Sequence, residues 1–164
     1  MTSSGASKTE LTVTMPTDRE IVLSRSFAAP AKLVFDSFTR PDLLVRWYGA
    51  RGWNLVGCSV DLREGGRYRF DSAGPQGQTM AQSGTYRVVL PHSRLVFTEL
   101  FDDQSYEGES VITHVFTSDG GLTTVTTTVL YATAAGLETV RRYPMARGVT
   151  ESYERLDLVL GSLQ

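Results

Sequence analysis

Apolar and polar residues alternate with a period of two over much of the chain, a pattern typical of β-strands with one buried face. The alternation is clear over residues 19–27 and weaker over 10–15, where it predicts a short edge strand or an extended arm. It resumes at Trp53 and continues to Tyr131, interrupted by turns rich in glycine, proline and polar residues. The pattern therefore predicts a first strand and, after a break, about six more.

Helical spacing appears on both sides of this run of strands. Apolar residues over 33–38, and again after Pro41, predict two short helices. An apolar stripe over residues 145–160 predicts a long C-terminal helix, which either kinks at Pro144 or begins near Tyr143.

The order of these elements favours an α+β fold with an antiparallel sheet. We expect the sheet to curve around the C-terminal helix, with two short helices after the first strand and a space between sheet and helix. The length of 164 residues is the usual size of one domain. We expect a flexible N-terminal arm over residues 1–17, mobile over 1–9, and a single domain over 18–164.

Turn signals predict how the strands face one another. Asp119-Gly120 is a strong two-residue hairpin signal, and a loop of that length places His114 opposite Val125. In the first strand after the helices, parity places a set of apolar residues on one face: Val56, Cys58, Val60 and Leu62.

Composition and charge exclude several classes of protein. The net charge is −2, so non-specific binding to nucleic acid is not expected. With one cysteine, Cys58, neither a disulfide framework nor a thiolate metal cluster is available, and the cytoplasm is the expected compartment. No apolar run approaches the roughly 18 residues of a membrane span.

The standard motifs of catalysis, phosphate binding and metal binding do not occur in the sequence. The two histidines, His92 and His114, lack the spacing of a metal site, and Gly65-Gly66 is better explained as a hairpin turn. We therefore expect no metal and no cofactor.

Several short motifs, taken together, are specific. They are Phe27-Ala28-Ala29-Pro30 followed by Leu33-Val34-Phe35, Trp47-Tyr48-Gly49, the strand-turn-strand segment 61–70, Gly84-Thr85-Tyr86, and residues 94–98 and 145–156. With these motifs the chain resembles, over residues 18–160, the family of homologues of the activator of heat-shock-protein-90 ATPase. That family belongs to the START-like (SRPBCC) helix-grip superfamily.

The resemblance implies a helix-grip fold with a deep, mostly apolar cavity between the sheet and the C-terminal helix. Members of the wider superfamily bind lipids, hormones and polyketides, and some are cyclases, hydratases or oxygenase subunits. The eukaryotic co-chaperone has an additional N-terminal domain, which these 164 residues do not supply. A chaperone partner is therefore the weakest of the implied expectations.

Aromatic side chains and inward-facing strand or helix positions supply the candidate ligand-binding residues. They are Trp47, Tyr48, Trp53, Cys58, Tyr68, Phe70, Tyr86, Phe97, Glu99, His114, Phe116, Thr127, Met145 and Val149. Tyrosine hydroxyls and tryptophan N–H groups would orient the ligand, although ordinary core packing explains many of these positions equally well.

His114 is the most informative polar residue because its parity places it on the cavity face. A tight hairpin through residues 102–108 would place Phe97 opposite His114 and Glu99 diagonal to it. A Glu99–His114 pair could orient a ligand, transfer a proton or serve only as a structural contact. We assign no residue a catalytic role from the sequence.

Three functional hypotheses follow, in decreasing order of support. The first is binding of a small apolar or aromatic molecule; the second is a cyclase- or dehydratase-like enzyme that uses the same cavity. The third is a co-chaperone or other interaction module. The exposed sheet edges are compatible with a homodimer.

Overall fold

A computed structural model describes residues 9–164 as eight strands and four helices. The strands are β1 (Thr12–Thr17), β2 (Glu20–Phe27), β3 (Asn54–Val60), β4 (Arg67–Ala73), β5 (Thr79–Leu90), β6 (Arg94–Phe101), β7 (Ser110–Asp119) and β8 (Leu122–Leu130). The helices are α1 (Ala31–Thr39), α2 (Pro41–Trp47), α3 (Ala134–Arg141) and α4 (Met145–Ser162).

The strands form one antiparallel sheet in the order β1-β2-β8-β7-β6-β5-β4-β3. The two short helices follow β2, six strands come next, and the long helix ends the chain, which confirms the predicted α+β helix-grip fold. Residues 1–8 of the predicted arm lie outside the described residues. The rest of the arm contains β1, which pairs with β2 at the edge of the sheet.

The C-terminal helical region consists of two helices. The side chain of Thr133 caps α3 by accepting a hydrogen bond from the Gly136 N–H at 3.0 Å. Pro144 immediately precedes α4, as expected for a residue that cannot continue a helix. The sequence allowed either a kink at Pro144 or a helix that begins near Tyr143. The structure shows that the long helix begins after the proline. None of the helices within residues 9–164 combines the length and hydropathy needed to cross a membrane.

The register predicted for the β7–β8 hairpin is wrong by two residues. The turn residues are Gly120 and Gly121, with φ of +58° and +87°, and Asp119 pairs with Leu122. Two adjacent glycines suit a tight hairpin that needs positive φ at both central positions. As a result, His114 lies opposite Thr127.

The predicted β6–β7 register is also wrong by two. Phe97 lies opposite Ile112, and His114 lies opposite Leu95. Because a shift of two residues keeps each side chain on its predicted face, Glu99 and His114 still face the same side of the sheet.

In β3 the side chains do not keep the strict alternation that the sequence analysis assumed. The register with β4 shifts between Leu55 and Gly57, as at a β-bulge, so Leu55 is buried and Val56 is 70% exposed. The prediction that Val56 shares a buried face with Cys58 and Val60 is therefore wrong. Leu62, predicted on the same face, lies beyond the end of β3 and is exposed.

Polar contacts fix α4 against the end of α2. The Ser152 hydroxyl accepts a hydrogen bond from the Gly49 N–H and donates one to the Trp47 carbonyl. Arg155 donates to the carbonyls of Gly49 and Trp53. These bonds hold the α2–β3 connection, and with it Trp47, at one end of the space under the sheet.

The apolar interior is divided into two clusters. The first joins α1, α2 and the second half of α4 to the sheet and includes Phe27, Phe38 and Leu156. The second is smaller, involves α3, and includes Ile21 and Leu137. Three partly buried residues, Leu11, Phe97 and Val149, pack against both clusters and connect them.

Candidate functional site

A cavity of about 550 Å³ lies between the sheet and the helices, and its wall draws on both apolar clusters. Its volume is in the usual range for small-molecule sites. Leu23, Ile112 and Val129 supply one side of the wall, and Phe38 and Leu44 supply the other.

Most of the ligand-binding residues predicted from the sequence lie in this wall. They are Trp47, Tyr48, Tyr68, Phe70, Tyr86, Phe97, Glu99, His114, Thr127, Met145 and Val149. Strand parity and the stripe of α4 bring them together, since inward positions of a curved sheet converge on the helix that crosses it.

Three predicted residues lie elsewhere. The ring of Trp53 packs over Gly74, outside the cavity wall. Cys58 lies opposite Phe70 on β4 and packs against the first cluster, and burial raises the pKa of its thiol to about 11. Phe116 is buried between Phe35 and Phe38, with ring centroids 5.3 and 5.6 Å away. Cys58 and Phe116 thus belong to the packing around the cavity, whereas Trp53 packs on the β4–β5 loop.

One polar network crosses the wall near β5 and β6. The Gln82 amide nitrogen donates hydrogen bonds to the Tyr48 hydroxyl at 3.0 Å and to Glu99 Oε2 at 2.7 Å. Both amide hydrogens are therefore used. The other carboxylate oxygen of Glu99 has no hydrogen-bond partner within residues 9–164.

The environment of Glu99 disfavours its charge. Burial raises the pKa of its carboxyl from about 4.5 to about 7. The pKa values of the neighbouring Tyr48 and Tyr68 hydroxyls are raised as well. Burial is the larger cause, and the negative charge of Glu99 is the second. The partial exposure of Glu99 is to the cavity that it lines.

His114 is held in its neutral form by the same low polarity. Burial lowers the pKa of its imidazole to about 3. Nδ1 lies 2.7 Å from the Thr127 hydroxyl, whereas Nε2 has no hydrogen-bond partner in the described part of the chain. Phe38, Phe97 and Phe116 surround the ring at centroid distances of 5.0, 5.4 and 6.2 Å.

The predicted Glu99–His114 pair is not a hydrogen-bonded pair. Each residue bonds to a different neighbour, Glu99 to Gln82 and His114 to Thr127. The two groups line the same cavity separately, so a ligand between them could contact both.

Two of the donors predicted to orient a ligand already donate hydrogen bonds to backbone carbonyls of the protein. The Trp47 indole N–H donates to the Ser37 carbonyl at 2.9 Å, and the Tyr68 hydroxyl donates to the Thr98 carbonyl at 2.7 Å. The Tyr48 hydroxyl proton has no acceptor among residues 9–164, which makes it the tyrosine donor available at this network.

The sequence analysis missed Gln82, Tyr131 and Tyr106, all of which lie in the wall. Strand parity could have identified two of them: Gln82 has the parity of Gly84, and Tyr131 that of Thr127. Tyr106 lies in the loop between β6 and β7, where no periodicity signals its direction.

Three outward arginines of β4 and its neighbouring segments are paired with acids, whereas Arg67 donates to the Thr85 hydroxyl. Arg63 contacts Asp61, Arg69 contacts Asp71 and Asp102, and Arg87 contacts Glu109. On this solvated face most of the arginine charge is therefore balanced by neighbouring carboxylates. No group of three or more His, Cys, Asp or Glu side chains within residues 9–164 is placed to hold a metal ion.

Comparison with known proteins points to one family. The family model described as Activator of Hsp90 ATPase homolog 1-like protein matches residues 28–161. A crystal structure of a protein from Rhodobacter sphaeroides is 30% identical, with a TM-score of 0.87 over 93% of this chain and 99% of that chain.

Two further solved structures have the same fold at lower identity. A protein from Mycobacterium smegmatis is 24% identical, with a TM-score of 0.81 and coverage of 92% of this chain and 96% of that chain. An AHSA1 protein from Silicibacter pomeroyi is 20% identical, with a TM-score of 0.72 and coverage of 88% and 99%. Curated proteins gave no significant match.

Proposed function

Since the chain belongs to the Activator of Hsp90 ATPase homolog 1-like family, we propose that it binds a small apolar or aromatic molecule in the cavity beneath α4. The family and the helix-grip fold together support a module that binds a ligand or acts as an Hsp90 activator. The cavity supports the first of these.

The observation that carries the proposal is the open space between the two apolar clusters. A core with no ligand to accommodate would close up the roughly 550 Å³ of space, because unfilled volume lowers the free energy of unfolding. Most of the wall is aromatic or aliphatic, and it encloses the free Oε1 of Glu99 and the free Nε2 of His114. This combination suits a ligand with an apolar body and few polar groups.

A thermal-shift screen against apolar and polycyclic aromatic compounds tests this function. A ligand at 100 times its dissociation constant adds about 2.7 kcal/mol to the free energy of unfolding. For a domain of this size, that raises Tm by roughly 5–10 °C. A saturable shift with at least one compound is expected, and a chemically diverse library without any shift would contradict the proposal.

Val149→Trp provides the matched control. Val149 lies on α4 in the cavity wall, so an indole there would occupy the space proposed for the ligand. We expect the variant to keep its free energy of unfolding within about 1 kcal/mol of the unmodified protein, because the added ring enters open space. Every thermal shift found in the screen should disappear. Shifts that persist in Val149→Trp would place binding outside the cavity.

A second function, acid–base catalysis, is favoured by one observation. Burial moves the pKa values of Glu99 and His114 in opposite directions, and such pairs occur where enzymes divide acid and base roles. If the protein binds its ligand without chemical change, a compound incubated with it and then recovered has the same mass as before. Turnover that His114→Phe abolishes, while binding of the compound is retained, would establish catalysis instead.

A further inference from the structure

The charged groups in the cavity wall all have the same sign. Within residues 9–164, no lysine or arginine side chain lies in the wall, while Glu99 lies in its interior and Asp103 in the β6–β7 loop. Burial keeps the His114 imidazole neutral. Arg25, the buried arginine of β2, is bound to Asp157 by two hydrogen bonds of 2.8 and 2.6 Å and does not line the cavity.

Glu99 has no positive partner in the described structure. Its carboxylate accepts one hydrogen bond, from the neutral amide of Gln82, and the other carboxylate oxygen of this cavity-lining side chain has no partner among the described residues. A buried carboxylate usually has an opposite charge or several hydrogen-bond donors around it, because removing it from water is costly. The counter-charge is therefore missing from the described protein at the point where a ligand would lie.

Aromatic rings surround this carboxylate. Tyr48, Tyr68, Tyr106 and Tyr131 are close enough for the Glu99 charge to affect their pKa values. Tyr106 and Tyr131 meet edge to face with centroids 5.4 Å apart, and both line the cavity. Aromatic rings around a carboxylate form the environment in which proteins bind organic ammonium groups.

We propose that the cavity selects cationic ligands, namely amines with an apolar or aromatic body, and that Glu99 receives the ammonium group. This inference rests on the proposed ligand-binding function and specifies the class of ligand. The ammonium N–H donates to the free Oε1 of Glu99, and the aromatic rings enclose its remaining sides. Fatty acids and other carboxylates are excluded, because the described wall offers them two acidic side chains, Glu99 and Asp103, and no cation.

The selection for cations depends on pH. Glu99 must be ionised to attract an ammonium group. The ionisable groups close enough to feel its charge are Tyr48 after α2, Tyr68 on β4, Tyr131 after β8 and Tyr106 in the β6–β7 loop. Asp103 and the neutral His114 line the same wall. The tyrosines stay neutral, since their pKa values are raised by burial. Binding of an amine should therefore strengthen as pH rises through the pKa of Glu99, whereas binding of a neutral analogue should not.

Three probes with the same body separate these effects: 4-phenylbutylamine, 4-phenylbutanol and 4-phenylbutyrate, titrated by calorimetry at pH 5.5 and pH 8.5. At pH 8.5 we expect the amine to bind about tenfold more tightly than the alcohol, because its hydrogen bond to Glu99 is between charged groups. The acid should bind most weakly. If only ionised Glu99 binds the amine, its affinity should rise by up to about thirtyfold between the two pH values.

Glu99→Gln should remove both the preference for the amine and its pH dependence while the alcohol still binds. Glu64→Gln, which removes a charge from an exposed turn, should change neither. Equal affinities for amine and alcohol, or tightest binding of the acid, would overturn the cation proposal and leave ligand binding intact. Failure of all three probes, together with a silent thermal-shift screen, would overturn both.

Discussion

Replacing Gly84 by alanine is expected to lower the free energy of unfolding by about 3 kcal/mol or more. Gly84 lies on β5 where β6 crosses closely, and a Cβ added there would lie 1.8 Å from the carbonyl oxygen of Thr98. Real contacts of this type are not shorter than 3.0 Å, so the backbone of β6 would have to move. The same carbonyl accepts the hydrogen bond from Tyr68, which ties this point to the cavity wall.

Urea unfolding of Gly84→Ala and Gly161→Ala measures this effect against a matched glycine. A Cβ at Gly161, near the end of α4, meets nothing within 4 Å. Alanine there should raise the free energy of unfolding by about 0.5 kcal/mol, because glycine weakens helices. If Gly84→Ala is within about 0.5 kcal/mol of the unmodified protein, the close approach of β5 and β6 is not a feature of the fold.

The second large effect is a pH-dependent gain in stability from Glu99→Gln. In the folded protein the pKa of Glu99 is about 7, above its value of 4.5 in the unfolded chain. The folded state therefore holds more protons between these values, and the free energy of unfolding falls as pH rises from 4.5 to 7. The full loss, about 3 kcal/mol, is present above pH 7, and Glu99→Gln removes it.

His114 contributes a pH dependence of the opposite sign. Its pKa is about 3 when folded and 6.5 when unfolded, so the folded state holds fewer protons between these values. The free energy of unfolding therefore falls as pH drops below 6.5. Between pH 4.5 and 6.5 the contributions of Glu99 and His114 cancel, which hides both in the unmodified protein. Glu99→Gln leaves the His114 contribution alone and visible.

Urea unfolding at pH 4, 6 and 8 checks this prediction. The difference between Glu99→Gln and the unmodified protein should be near zero at pH 4 and reach about 3 kcal/mol in favour of the variant at pH 8. Glu64→Gln is the control, because its side chain is exposed in the β3–β4 turn and should give a difference near zero throughout. A difference that does not vary with pH, or that favours the unmodified protein at pH 8, would show that Glu99 is not buried in this way.

Strand faces could be predicted from the sequence because a register error of two residues leaves each side chain on the same face of the sheet. The predicted registers of the β6–β7 and β7–β8 hairpins are both wrong by two residues. Glu99, His114 and Thr127 nevertheless lie in the cavity wall, as the alternation indicated. The order of elements followed from hydrophobic period and turn residues. The cross-strand partners could not be predicted in the same way. The predicted neighbour of His114 was Val125, whereas its actual neighbour is Thr127.

Features without a periodic signal could not be predicted. The irregularity between Leu55 and Gly57 reversed the face of Val56, and nothing in the alternation marks its position. Tyr106 reaches the cavity from a loop, where side-chain direction depends on tertiary contacts. The free oxygen of Glu99 depends on where the Gln82 amide points, which only the packed structure defines.

Fluorescence of Trp47 tests most directly whether the cavity is a ligand site. The chain has two tryptophans, and only Trp47 lines the cavity, so Trp53→Phe leaves one reporter in the wall. Titration of this variant with 4-phenylbutanol should give a saturable change in emission. Val149→Trp adds a second indole to the wall, so its binding is followed by calorimetry, where it should show none. Emission that changes only in proportion to added compound, or binding that survives Val149→Trp, would contradict the assignment of this cavity as the ligand site.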